Sequence, residues 1–216
     1  GIFDDPHHLE PTKISYVDGR PRTLHLRRAQ LILHPNLPEQ REHIFDQDLI
    51  TIGSLEGNDI ILEDDTVSRN HCQIVQEDDH YLLIDLNSTN GTHINGVRVR
   101  EAFLAPGSTI AIGNTQVSFN PLQEQHPITP VETEKFGDIV GASVKMREIF
   151  GILEKISPTS TTVVIEGETG TGKEVVARTI HKMSSRSQGP FIVFDCGAVP
   201  ESLIESELFG HEKGSF

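Results

Sequence analysis

The sequence predicts a chain in two parts, an all-β sandwich followed by a parallel α/β unit, and three observations carry that reading. Between residues 29 and 119, short apolar runs are broken every few positions by turn-forming pairs. From residue 136 the apolar residues recur at helical spacing instead. A glycine loop then stands between a β-rich run and a second helical run, the strand-loop-helix order of a parallel α/β sheet. At 216 residues, with 36% hydrophobic and 23% charged residues and no Trp, the chain has room for a core in each part and the composition of a soluble protein.

The predicted strands of the first part are 31–33, 49–52, 60–62, 73–75, 81–84, 109–112 and 116–119. Asn90-Gly91, Asn95-Gly96 and Gly113-Asn114 supply hairpin turns that need positive φ, and Asn95 is read as a turn residue. Seven or more short strands of this kind make a sandwich, placed at 29–120. Ahead of it, in an extension at 1–28, residues 14–17 and 23–26 form an extra hairpin around Asp18-Gly19. Residues 121–135 carry Pro121, Pro127 and Pro130 among Gln and Glu and read as a linker. The second domain occupies 136–216. Met146, Ile149, Phe150, Leu153 and Ile156 line one face of its first helix, with Ser143 as N-cap. A strand at 161–166, a helix at 174–183 and a buried strand at 191–194 complete an incomplete α/β domain.

No apolar run approaches the roughly 20 residues of a membrane helix, and no leader peptide is visible, so no membrane role is expected and the expected location is cytoplasmic. The chain opens on Gly1 rather than Met and reads as a piece of a longer protein. Cys72 and Cys196 belong to no CxxC or His/Cys cluster, which argues against a disulfide framework and a zinc site, and no metal ligands are assigned. The net charge of −14 is unevenly spread: residues 1–44 are neutral, 45–120 carry −9 and 121–216 carry −5. So acidic a middle segment repels a phosphate backbone at long range, and direct nucleic-acid binding by it is not expected.

The strongest chemical signal is Gly167-Glu168-Thr169-Gly170-Thr171-Gly172-Lys173. Its glycines let backbone N–H groups turn onto a β-phosphate, the helix start adds positive potential, and Lys173 reaches the β/γ oxygens. ATP is the expected ligand. Glu174 stands where a Ser or Thr would ligate Mg²⁺, so the metal must be held mostly by other residues.

That loop with Glu174, then Asp195-Cys-Gly-Ala, then Glu205-Ser-Glu-Leu-Phe-Gly-His-Glu-Lys-Gly-Ser-Phe216, closely resembles the AAA+ domain of sigma-54-dependent transcriptional activators over about 136–216. The resemblance implies a ring-forming ATPase that remodels sigma-54 RNA polymerase, with DNA bound only by a further C-terminal domain. It implies that Val140 and Gly141 border the adenine pocket. It places Asp195 at the family's glutamate-switch asparagine, a departure, and makes Gly214, Ser215 and Phe216 the first letters of the polymerase-contacting loop. In that family the acidic metal-holding strand and the arginine finger follow later, so no catalytic residue is assigned and negligible hydrolysis is expected of these 216 residues.

Thr51-Ile-Gly-Ser54, Asn58-Asp59-Ile60, Val67-Ser-Arg-Asn-His71, Asp85-Leu-Asn-Ser-Thr-Asn-Gly-Thr92 and Ile94-Asn-Gly96 together resemble a forkhead-associated (FHA) domain over roughly 29–120. The resemblance implies a β-sandwich whose loops bind a phosphothreonine-containing protein through Ser54, Ser68, Arg69, Thr89 and Asn90. Asn90 would hold the peptide backbone and His71 would brace a loop. Ser54 replaces the family's phosphate-binding arginine, which removes a bidentate charged donor. The combined expectation is a sigma-54 activator in which a phosphoprotein-sensing sandwich controls an ATPase; the alternative is a binding module with an incomplete nucleotide site.

Overall fold

The computed structural model describes residues 12–77 and 80–195. β1 (Lys13–Val17) and β2 (Arg20–Leu33) make a hairpin at Asp18-Gly19, both residues at positive φ. β2 runs unbroken for 14 residues, so the strands predicted at 23–26 and 31–33 are one element. β3 (Arg41–Phe45) pairs with the far half of β2. There follow β4 (Leu49–Gly53), β5 (Ile60–Ile61), β6 (Cys72–Glu77), β7 (His80–Asp85), β8 (Thr92–Ile94), β9 (Val97–Val99), β10 (Glu101–Phe103), β11 (Ser108–Ile112) and β12 (Thr115–Pro127). One sheet has the order β1-β2-β12-β11-β8-β9, with β3 also on β2; the other runs β10-β7-β6-β4-β5, with β4 and β5 parallel. The predicted β-sandwich is therefore the observed fold of the first part. Four strands of the sandwich were not predicted: β3, β9 and β10 are short, carry charged residues and lie at sheet edges, where no apolar run is needed, and β8, between β11 and β9, has only three residues.

Period-two alternation builds the sandwich core. Leu31, Ile52, Ile74, Leu83, Ile110, Ile112, Val117 and Phe119 are wholly buried between the sheets. β2 also serves a second core, and its parity shows how. Ala29, Leu31 and Leu33 face the sandwich interior, whereas Leu24 and Leu26, of opposite parity, pack with Phe136, Ile139, Phe150, Leu153 and Ile156. One strand thus buries both of its faces against different layers. β12 follows it: residues 121–127, predicted as linker, continue this strand and pair with residues 23–29 of β2. Pro121 and Pro127 are tolerated there, and the ladder past the sandwich is supported by the second core.

The second core is completed by the small hairpin of β13 (Lys135–Phe136) and β14 (Ile139–Val140) and by α1 (Val144–Ile156). Ser143 caps α1 as predicted, its hydroxyl accepting from the Met146 N–H at 3.2 Å. α2 (Lys173–Lys182) is the second predicted helix. Residues 161–166 and 191–194, predicted as strands, have no ladder partner among the described residues, and Val164 and Ile192 are about four-fifths exposed. A parallel strand exists only through hydrogen-bonded neighbours, and sequence pattern alone cannot supply them. Among the described residues no helix is long and apolar enough to cross a membrane.

Candidate functional site

Three segments meet at one end of the sandwich: the one after β4, the one between β5 and β6, and the one between β7 and β8. The Ser54 N–H donates to the Ser68 carbonyl and its hydroxyl to the Val67 carbonyl, both at 3.1 Å. The Thr89 N–H donates to Ser68 Oγ at 3.0 Å, and the two hydroxyls stand 3.5 Å apart. The structure therefore brings Ser54, Ser68 and Thr89 together, with Arg69 exposed on the same segment. Asn90, expected to hold a peptide backbone, donates Nδ2 to the Thr66 carbonyl at 2.7 Å and so ties two of these segments to each other. Asn58 does similar work, donating to the Arg69 carbonyl at 2.9 Å.

Behind this surface lie the groups that hold it. His71 is buried, and burial pushes its ring toward the neutral form, partly opposed by its contact with the Gly91 carbonyl. Burial likewise disfavours ionisation of Asp85, but bonds from Ser88 Oγ and Thr92 Oγ1, both 2.6 Å, outweigh it and hold the carboxyl below its usual range. Asp64 is lowered by the Thr66 hydroxyl and N–H, with the Asn114 N–H adding at 2.9 Å. Asp64 and Thr66 were not singled out from the sequence, and Asn114 only as part of a hairpin turn. The Asp-x-Thr spacing of a side-chain-bonded turn was the available signal.

The glycine loop leads directly into α2. Gly170 and Gly172 take φ of +84° and +89°, and Gly172 is the helix N-cap, so only residues without a Cβ turn the loop without strain. Lys173 Nζ donates to the carbonyls of Gly167 and Glu168 at 2.7 and 2.8 Å, poised over the loop. Loop and helix border a cavity of about 740 Å³ whose other wall is Asp138, Ile139, Val140, Met146 and Ile149. Of the predicted loop residues Gly167, Thr171, Gly172 and Lys173 line it, while Glu168, Thr169 and Gly170 stand exposed beside it. Val140 is on the wall as expected. Gly141 is not; its backbone bonds Glu134 and its α-carbon lies against Met146. Met146 and Ile149 were read only as core-facing helix positions, since periodicity does not tell a core from a cavity wall.

The residues fit a nucleotide triphosphate better than its metal. Thr171 Oγ1 donates to the Glu168 carbonyl at 2.7 Å, and Glu174 pairs with Arg178 at 2.8 Å, one helical turn on. Among the described residues no three His, Cys, Asp or Glu side chains gather as metal ligands. Asp195 is exposed and outside the lining of the cavity. Gly214, Ser215 and Phe216 lie outside the described residues.

Residues 50–113 match the FHA domain family and residues 139–216 the Sigma-54 interaction domain family. The Nif-specific regulatory protein of Azospirillum lipoferum is 48% identical over 99 residues, which are 46% of this chain and 15% of that protein. The DNA-binding transcriptional regulator NtrC of Klebsiella pneumoniae is 42% identical over 107 residues, 50% of this chain and 23% of that protein. The chain thus spans less than a quarter of the length of these relatives. A solved FHA domain studied for phosphothreonine-dependent interactions is 32% identical with a TM-score of 0.40, covering 43% of this chain and 95% of that one.

Proposed function

We propose, for a chain that joins an FHA domain to a sigma-54 interaction domain, that the sandwich recognises a phosphothreonine-containing protein and thereby controls an ATP-driven module acting on sigma-54 RNA polymerase. The observation that carries the nucleotide half is the phosphate loop at the mouth of the 740 Å³ cavity, with Lys173 aimed over it and the apolar wall of Ile139 and Val140 opposite. Backbone N–H groups at the start of α2 and the Lys173 ammonium suit a β/γ-phosphate, and the apolar wall suits a base. The phosphopeptide half is supported by the contact of the Ser68 and Thr89 hydroxyls and by the exposed Arg69 that follows Ser68 on the same segment. Bound Mg²⁺ would neutralise phosphate charge, with ligands drawn from outside this loop. Assembly into a ring, DNA contact through another domain and a cytoplasmic site of action belong to the same proposal.

The test is a titration of fluorescent ATP against the unmodified chain and Lys173→Ala, together with phosphothreonine and unphosphorylated peptides against the unmodified chain and Arg69→Ala. The proposal expects nucleotide binding lost with Lys173 and peptide binding that needs both the phosphate and Arg69. ATP affinity within twofold in Lys173→Ala overturns the nucleotide assignment. Retained phosphopeptide binding with ATP binding absent from the unmodified chain leaves a binding module alone.

A further inference from the structure

Residues 45–120 hold twelve acidic residues and only three Lys or Arg, and those three are Arg69, Arg98 and Arg100. The fold gathers them at one end of the sandwich. Arg69 is on the segment between β5 and β6; Arg98 lies within β9 and Arg100 just after it, flanking the segment between β7 and β8 that carries Thr89 and Asn90. Arg98 and Arg100 alternate about Val99 and so share one face. Arg98 lies across Gly91, where a Cβ would come within 2.4 Å of Nε, so glycine is what lets the guanidinium settle on the loop. Arg100 Nη2 donates to Asn87 Oδ1 at 3.1 Å.

The two side chains border a concavity of about 470 Å³ with Asp85, Asn87, Ser88 and Val99. Asp85, held ionised by the bonds its oxygens accept from Ser88 and Thr92, sets one carboxylate against two guanidiniums and leaves the lining net positive. Neither arginine forms an ion pair among the described residues. In a segment of net charge −9, two exposed guanidiniums against the single carboxylate of Asp85 make this a place where an anion is attracted rather than repelled. Their forked donors match a carboxylate or a phosphate.

We infer that Arg98 and Arg100 form a second anion subsite that binds an acidic side chain of the partner, next to the phosphothreonine contact at Ser68, Arg69 and Thr89. The inference rests on the phosphopeptide reading above. It also accounts for Ser54: a site with a neutral hydroxyl there recovers attraction for its ligand from a second charge on the same peptide.

The test uses the full chain and a randomised phosphothreonine peptide library, followed by fluorescence polarisation with the best acidic peptide, its Asp/Glu→Asn/Gln counterpart and a version carrying phosphoserine in place of the acid. The unmodified chain is expected to select acid near the phosphothreonine. In Arg98→Gln/Arg100→Gln the acidic peptide should bind about tenfold more weakly and the neutral one unchanged. Preference for the phosphoserine version over the acid would identify a second phosphate as the source of the anion. No selection for acid by the unmodified chain, or selection that survives the double variant, overturns the subsite. Peptide binding indifferent to the threonine phosphate overturns the phosphothreonine reading instead, and a preference for acidic over neutral peptides that vanishes in the double variant would then still support the subsite. Arg98→Gln loosens the packing over Gly91, so Arg100→Gln alone, which gives up a bond to Asn87 and leaves Gly91 covered, must show a loss in the same direction, with unfolding midpoints recorded for each variant.

Discussion

The Ser68 backbone N–H donates to Nδ1 of His71 at 3.0 Å, and on the other side of the ring Nε2 faces the Gly91 carbonyl at 3.3 Å. This pair of contacts fixes the imidazole as the neutral tautomer with its proton on Nε2. A second proton, on Nδ1, would point at the Ser68 N–H. His71 therefore joins the segment bearing Ser68 to the segment bearing Thr89, which is the bracing role expected of it.

Acid should loosen this end of the sandwich through His71. Its folded pKa lies below the ordinary value of 6.5, chiefly because burial disfavours the charged ring. The stability it contributes is fully present above about pH 6.5 and is lost as pH falls through the lower folded value, since the unfolded chain takes up the proton first. Urea unfolding between pH 7.5 and 5 should show this loss, and His71→Gln should be less stable at pH 7.5 but flatter over the same range. An equal slope in both proteins would remove His71 as the cause.

Ser54→Arg should tighten phosphothreonine-peptide binding by about tenfold or more, since a hydrogen bond to a charged group is worth roughly 1.5–3 kcal/mol. Ser54 is half-buried and its backbone is held by Ser68, so a longer side chain starts from a fixed point beside Ser68 and Thr89. Fluorescence polarisation with a peptide that the unmodified chain binds decides it; unchanged affinity would mean that a side chain from position 54 does not reach the phosphate.

The sandwich was legible because β-strand alternation and Asn-Gly turns are local signals, and so was the glycine loop, whose φ values only glycine adopts freely. What escaped the sequence was non-local. Nothing local to residues 121–127 announces that they pair with residues 23–29 nearly a hundred positions earlier. Likewise Arg98 and Arg100 read as two surface charges until β9 sets them beside the segment carrying Thr89. The residues predicted to contact a phosphopeptide were found together because their spacing lies in loops joined by short strands, whereas Asp64 and Asn114, which support them, are 50 positions apart.

Phe150→Ala should damage the second core and spare the sandwich. Phe150 is wholly buried and stacks near Phe136, with ring centroids 6.2 Å apart, on the face of β2 that carries Leu24 and Leu26. Truncating a buried Phe costs about 3–5 kcal/mol. Hydrogen exchange should therefore quicken across α1 and β14 while β6 and β7 keep their protection. Uniform loss of protection would show instead that the two cores unfold as one unit.

Alkali should attack the sandwich at the seam between the cores. Tyr81 is buried against Phe119, the Arg27 guanidinium lies 5.2 Å from its ring centroid, and its hydroxyl is pushed up to about 12, mainly by burial, with Arg27 opposing and Asp48 and Asp46 assisting. An unfolded tyrosine titrates near 10, so the stability contributed by keeping Tyr81 protonated is intact below about pH 10 and is lost as pH rises from there toward 12. The chain has two tyrosines, and Tyr16→Phe leaves Tyr81 as the sole reporter. In that variant, absorbance at the phenolate band should stay flat through about pH 11 and then rise together with the loss of β-sheet circular dichroism. Adding Arg27→Met removes the neighbouring charge that favours the phenolate while filling the same space with an apolar chain, so ionisation should move to still higher pH. Phenolate forming near pH 10 with the sheet intact would show that the Tyr81 hydroxyl reaches solvent in the folded protein.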